Sequence, residues 1–300
     1  MTLSASSGAG DPALHVTLRC WGTRGSIPDP GPDTVRYGGN TSCVEIRAGD
    51  ESLILDAGTG LRRLGKEILT RGGGREVRIF LSHYHWDHIQ GLPFFGPAYK
   101  SDFTLRVHGP DQDGKTAGDI VAGQACPPYF PVTLQDFPGS FAFSPVEEGG
   151  QTQGSFRIRA MRMRHPSFTL GYRVEAFGRS IVYVPDNELE GGRYDVPIHW
   201  REAFEEFVEG ADVLLHDAMF TESERSAFVG WGHSTYEQAV QLALRSEVKS
   251  LFFFHHAPGR TDDEIDLLLE RFRAEVDGLG SGLRVHAAAE GADLSLSPVP

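Results

Sequence analysis

Cysteine is scarce in this chain: three in 300 residues, Cys20, Cys43 and Cys126, with no C-x-x-C spacing. Three cysteines build no disulfide framework, and their scarcity favours a reducing compartment, so a cytoplasmic protein is expected. Long apolar runs are missing too; none approaches the roughly 20 residues that a membrane helix requires. The opening MTLSASSGAGDPALHV has neither a charged start nor an apolar stretch behind it, so it does not read as a secretory signal. Positive charge is in deficit, with 28 Lys and Arg against 41 Asp and Glu and a net charge of −13. That balance argues against an extended nucleic-acid surface while leaving room for a local basic pocket. No internal repeat and no linker divides the chain.

What is present suits a folded α/β domain. Hydrophobic residues make up 40% and charged residues 23%, which excludes wholesale disorder. Residues 1–13 read as a disordered Gly/Ser-rich tail, and residues 14–300 as a single domain. Strands are expected at His15–Gly22, Ser42–Ala48, Ser52–Asp56, Val77–Ser82, Thr104–His108, Phe156–Met163, Leu170–Ala176, Ser180–Val184, Val213–His216 and Leu251–Phe254. Helices are expected at Leu61–Thr70, Thr116–Ala125, Trp200–Glu209, Thr235–Arg245 and Asp262–Asp277. Ser234-x-x-Glu237 and Thr261-x-x-Glu264 read as capping boxes, in which each side chain satisfies a backbone donor of the other. The runs ESLILDAG, REVRIFLSH and VKSLFFFHH are apolar until they end in polar residues. A strand buried on both faces looks like this when its C-terminal end opens onto a site.

Three Gly/Pro-rich stretches break the pattern: Gly25–Asn40, Gln124–Phe137 and Ser144–Gly154. Loops this long are often functional. Tyr129, Phe130 and Phe137 suit a wall or lid over a pocket, or equally a tack that fastens the loop to the core. Arg24, Arg36, Tyr37 and Asn40 could contact a phosphate or ring; Arg36 and Tyr37 equally could brace their own loop.

The stretch LSHYHWDHIQG gathers His83, His85, Asp87 and His88 just after an apolar strand. His83 and His85 are two apart and can point the same way as the strand runs out. Asp87 and His88 follow as the chain turns into a helix. Imidazole and carboxylate together suit zinc, manganese or iron, and four such groups at one strand end are hard to satisfy without cations.

This H-x-H-x-D-H pattern resembles the signature of the metallo-β-lactamase superfamily. Further strand-end residues occur in the family's order: His165 after FRIRAMRMRH, Asp186 after SIVYVPD and His255 after SLFFFH. The resemblance spans about Thr17 to Leu296. It implies an α/β (α+β) fold, a four-layer αββα sandwich with a metal site at the sheet edge. It implies two divalent metal ions, zinc or manganese. One would be held by His83, His85, His165 and Asp186, the other by Asp87, His88, Asp186 and His255, with Asp186 shared. His255 and its neighbour His256 are not fully separable by sequence; the alignment favours His255, with His256 behind the ligands. Asp56 matches an aspartate that supports the family site from beneath, and also reads as a turn residue closing its strand.

Two more segments resemble the phosphodiesterase branch of that family, typified by the tRNA 3′-processing endonuclease RNase Z. VLLHDAMF carries His216 and Asp217, and WGHSTYEQA carries His233, Ser234 and Thr235. The resemblance implies catalytic roles for His233, Asp217 and Asp87, with the acid orienting a histidine that meets the phosphate and the leaving oxygen. Asp217 stands where the branch carries Glu, one methylene shorter with the charge kept. His216 also reads as a buried strand residue. RNase Z carries a tRNA-gripping arm between the third-motif histidine and the shared aspartate; here that interval holds only the hairpin TLGYRVEAFGRSIVYV. The expected function is therefore a dinuclear phosphodiesterase acting on a small or cyclic phosphodiester. RNase Z-like RNA cleavage is the alternative, as is carbonyl hydrolysis of the lactonase or thioesterase type. The expected partner is a small phosphodiester, with no membrane and no extended nucleic-acid surface; family members are often homodimers.

Overall fold

The computed structural model describes residues 15–298. The expected 1–13 tail lies outside them. In chain order the elements are β1 (Val16–Gly22), β2 (Cys43–Ala48), β3 (Glu51–Leu55), α1 (Leu61–Arg71), β4 (Glu76–Phe80), α2 (Trp86–Ile89), β5 (Thr104–Gly109), α3 (Ala117–Gln124), β6 (Ser140–Pro145), β7 (Gly149–Gln153), β8 (Phe156–Arg162), β9 (Leu170–Ala176), β10 (Arg179–Val184), α4 (Trp200–Val208), β11 (Val213–Asp217), α5 (Tyr236–Arg245), β12 (Ser250–Phe254), α6 (Asp262–Leu279), β13 (Arg284–Ala287) and β14 (Asp293–Leu296).

The strands form two seven-stranded sheets, ordered β14-β1-β2-β3-β4-β5-β6 and β13-β12-β11-β10-β9-β8-β7. Side chains alternate across each strand, which sorts the apolar residues into layers. Leu53, Leu55 and Phe80 of the first sheet meet Ile181, Tyr183, Val213 and Leu215 of the second in one shared core. Between them in sequence, Ile54 and Ile79 face outward onto α1, while Val182, Leu214 and Phe253 face outward into a cluster shared with α4, α5 and α6. The result is the expected αββα sandwich.

In each sheet one half is parallel: β3 to β6 in the first and β10 to β13 in the second. The C-terminal ends of β3, β4, β10, β11 and β12, with the segments that follow them, carry Asp56, the H-x-H-x-D-H run, Asp186, Asp217–Met219 and His255, and they meet at one edge of the sandwich. The β9–β10 hairpin turns at Phe177 and Gly178, so no arm is inserted there.

Several local expectations need correction. The Ser144–Gly154 stretch is not a loop throughout; it contains β7, which pairs antiparallel with β8. Strands β6, β13 and β14 were not expected either, whereas the turn into a helix at Asp87 and His88 is α2. The cap of α5 is Thr235 paired with Gln238, one residue on from the Ser234 box. Ser234 donates instead to the Asn187 carbonyl and accepts from Leu189 N–H, tying two loops together. The Thr261–Glu264 box caps α6 as expected.

Candidate metal centre

β4 ends at Phe80, and the next residues turn over the sheet edge into α2, whose N-cap is His85. This turn brings the side chains of His83, His85, Asp87 and His88 together. His165 arrives from the end of β8, Asp186 from β10 and His255 from β12. The donor atoms fall into overlapping groups that can each hold a metal ion: His83, His85, His165 and Asp186; Asp87, His88 and His255; and Asp186, His233 and His255.

Asp186 lies between the first two groups with one oxygen toward each. Its Oδ2 is 3.7 Å from Nε2 of both His83 and His165. Its Oδ1 is 3.2 Å from His88 Nε2 and 3.3 Å from His255 Nε2. Asp87 Oδ2 is 3.2 Å from the same two nitrogens.

The partners of these ligands fix which ring atom faces inward. Asp56 is fully buried and accepts from Ser82 N–H and Ser82 Oγ, from the Tyr183 hydroxyl and from His88 Nδ1 at 2.7 Å. Ser82 Oγ in turn accepts from His83 Nδ1 at 3.0 Å. His165 Nδ1 donates to the Gly232 carbonyl at 3.1 Å. Each contact turns Nε2 toward the cluster. The site also holds left-handed backbone at Ser26 (φ 63°), Asp56 (φ 61°) and His255 (φ 60°), strain of the kind that collects at functional sites.

A cation fits this donor set. His83 Nε2, His88 Nε2 and Asp186 Oδ1 are buried without a hydrogen-bond partner, although each faces another donor atom a few ångströms away. Buried polar atoms are rarely left so. Burial, assisted by the neighbouring imidazoles, pushes the His83 imidazolium well below its usual range; burial likewise drives His165 down to about 3. Burial works against the Asp186 charge, yet the His255, His88 and His83 rings hold that carboxyl well below its usual range. Neutral His83 and His165 and an ionised Asp186 are the forms that ligate metals. At His88 burial opposes charge, but Asp87, Asp186 and Asp56 raise the ring well above its usual range, positive charge that a bound cation would replace.

His233 stands beside the cluster. Its Nδ1 donates to Asp217 Oδ2 at 2.9 Å, and Asp217 is held by the N–H groups of Asn187 and Met219. Burial opposes charge on the ring, but Asp217, with Asp186 and Asp87 beyond it, raises His233 to about 9. A cavity of about 390 Å³ opens onto the cluster, lined by Ser26, Tyr84, His85, Trp86, Asp87, Asp186, His233 and His255.

Other candidates lie elsewhere. His256 is not behind the ligands: its ring binds the Ala288 carbonyl and sits edge-on to Tyr37. His216 is a buried strand residue, bonded through Nδ1 to the Asp217 carbonyl. Arg24 is fully buried and spends its guanidinium on the carbonyls of Gly38, Ala257 and Arg260. Arg36 and Tyr37 bind Asp263 and Asp266 of α6, and Asn40 binds Glu290. All four brace their loop. Phe130 and Phe137 pack on Phe94 and Tyr99, Tyr129 is exposed, and none of the three lines the cavity, so the expected wall or lid is not formed by these rings.

One residue escaped the sequence reading. Glu188, 2% exposed, accepts from the N–H groups of Gly192, Gly230 and Gly232 and from the Tyr194 hydroxyl. It thereby clamps the loop that carries the Gly232 carbonyl and His233. Its position two residues after Asp186 was the available signal.

Comparison with known proteins follows the same outline. Ribonuclease Z of Natronomonas pharaonis is 25% identical over 291 residues, covering 81% of this chain and 87% of the relative. The metallo-β-lactamase fold protein YhfI from Bacillus subtilis superposes with a TM-score of 0.68 at 21% identity, over 94% of this chain and all of that one. The short form of human tRNase Z gives 0.60 at 20% identity, over 94% and 99%. The ribonuclease Z relative overturns the exclusion of an extended nucleic acid as partner. That exclusion rested on the missing arm and on net charge; the arm is indeed absent between β9 and β10, but net charge sums the whole surface and does not decide the potential at one cleft. Among the described residues no helix is long and apolar enough to cross a membrane. The profile of the β-lactamase superfamily domain matches residues 52–256, and the chain belongs to that superfamily.

Proposed function

We propose that this chain is a metal-dependent phosphodiesterase that cleaves RNA, an endonuclease of the ribonuclease Z kind. The observation that carries the reading is the placement of the Asp217–His233 pair beside a carboxylate that faces two ligand groups at once. Carbonyl hydrolysis has no need of that added pair. The ribonuclease Z relative, aligned over four-fifths of the chain, supports RNA as the substrate.

His83, His85, His165 and Asp186 would hold one ion; Asp87, His88 and His255, with Asp186, would hold the other. Imidazole and carboxylate donors suit zinc or manganese. Divalent ions there supply a water of lowered pKa and neutralise phosphate charge. The chain's own residues do the rest. Asp56 and Ser82 keep the rings of His88 and His83 turned inward. Asp217 keeps the His233 proton on Nδ1 and favours the charged ring, so that Nε2 can give a proton to the leaving ribose oxygen. Asp87 helps to place the attacking group as well as ligating.

The test is cleavage of a tRNA precursor with a 3′ trailer by protein reloaded with zinc or manganese, beside a cyclic nucleotide and p-nitrophenyl acetate. Metal-dependent cleavage of the precursor is expected. Turnover of the ester with the RNA left intact overturns the reading.

A further inference from the structure

Trp86 stands between His85 and Asp87 as the first residue of α2. Its indole is 80% exposed, yet it lines the same cavity as Asp87, Asp186, His233 and His255. Among the described residues its ring packs on no other aromatic ring and under no guanidinium. Trp21 and Trp200, by contrast, are buried, and Trp231 packs edge-on against Phe228. The backbone beneath Trp86 is fixed on both sides: His88 N–H bonds back to His85, Gln90 N–H to Trp86, and Asp87 Oδ2 accepts from Ser26 N–H. Tyr84, two residues earlier, also lines the cavity and is pinned by its hydroxyl to the Pro110 carbonyl.

An indole with no aromatic partner, on a fixed backbone at the mouth of a polar cleft, costs exposed apolar surface, and it offers a flat face beside Asp87, Asp186 and His233. We infer that Trp86 is the stacking platform for the base of a nucleotide flanking the scissile phosphate. This rests on the phosphodiesterase reading of the site. A cavity of about 390 Å³ is near the small end of ligand pockets, room for one nucleotide unit rather than a run of them. Every base has a π-face, so the contact tolerates any base and rewards only its presence.

The experiment compares RNA with its normal bases against RNA in which the base is removed at each flanking nucleotide in turn. Trp86→Leu keeps apolar bulk without a ring, and Trp86→Phe keeps a ring. On normal RNA, Trp86→Leu should lower kcat/KM by roughly 5- to 100-fold, the usual worth of one stacked base. At one flanking position the base-free RNA should be cut equally by the Trp86→Leu variant and the parent, while Trp86→Phe should retain most of the activity on both. Metal content should be unchanged. A nucleoside monophosphate should quench tryptophan emission in the parent and in Trp231→Phe, but not in Trp86→Phe. Equal losses on normal and base-free RNA at both positions, or no loss on either, overturn the inference while leaving the phosphodiesterase reading intact. Absence of RNA cleavage by the parent itself overturns both.

Discussion

The proton on His233 separates chemistry from metal binding at the scale of single residues. His233→Ala removes a proton donor; because His255 and Asp186 also belong to the two proposed ligand sets without His233, the metal content should stay that of the parent, and a loss of metal would place His233 among the ligands. The substitution should lower kcat on RNA by roughly 10²–10⁴-fold, the usual worth of general acid catalysis. The loss should be much smaller on bis-p-nitrophenyl phosphate, whose leaving group departs unprotonated. Equal losses on both substrates would assign His233 to phosphate binding. The same pair sets a pH dependence. His233 is raised above its ordinary value by Asp217, so its charged form persists to higher pH and is lost as pH climbs through the raised value. Asp217→Asn removes the charge that holds the proton, so the alkaline limb of the kcat profile should move to lower pH. An unmoved limb would show that another group carries it. The ligand run of residues 83–88 was legible from the chain because its members are contiguous and end an apolar strand. The choice between ligand contact and bracing at Arg24, Arg36, Tyr37 and Asn40 was not, because their partners on α6 and in the 257–260 and 290 segments are hundreds of residues away in sequence.

Loops and strand ends decide how firmly the ligands stand. Glu188 bridges the 188–192 segment to the 230–232 loop, and that loop offers the carbonyl that orients His165. Glu188→Ala leaves buried N–H groups unpaired, which costs about 1–3 kcal/mol or more. Loss of an outer partner of a ligand typically weakens metal binding by about 10- to 100-fold. Competition with a chelator should show weaker binding in Glu188→Ala, with Glu188→Gln partly restoring it; parent-like affinity in the alanine variant would remove Glu188 from the support of the site. Gly232 belongs to the same clamp. Its φ is +91°, and a Cβ there would lie 2.1 Å from His165 Nδ1, so Gly232→Ala should impair the same ligand. At this scale the sequence was readable where a strand is buried on both faces, as β4, β10 and β12 are. It was opaque at β7, whose GGQTQ has neither apolar alternation nor β-branched bulk beyond one threonine, and at β13 and β14, four residues each. Pairing with a neighbouring strand makes those edges regular, and that information is not local. The α5 cap shows the same limit: Ser234 and Thr235 are both competent N-caps, and the pull of Asn187 and Leu189 on Ser234 leaves Thr235 to cap.

Over the whole molecule, two half-parallel sheets converge on one edge, and both must be in place for Asp186 to face both ligand groups. Metal binding to this folded arrangement should therefore stabilise it by mass action. Stripping the ions should lower Tm, and zinc or manganese should restore it in a concentration-dependent way; a Tm indifferent to chelator would contradict a metal site in the described cluster. The most direct test of the account counts metal against RNA cleavage. Metal-free protein is titrated with zinc or manganese, and bound ions per chain are measured beside the rate of precursor-tRNA cleavage, in the parent and in Asp186→Ala. The expected result is cleavage that rises as occupancy approaches about two ions per chain, with Asp186→Ala binding less metal and cleaving nothing. Full occupancy and full cleavage in Asp186→Ala, or cleavage by metal-free parent, would contradict it.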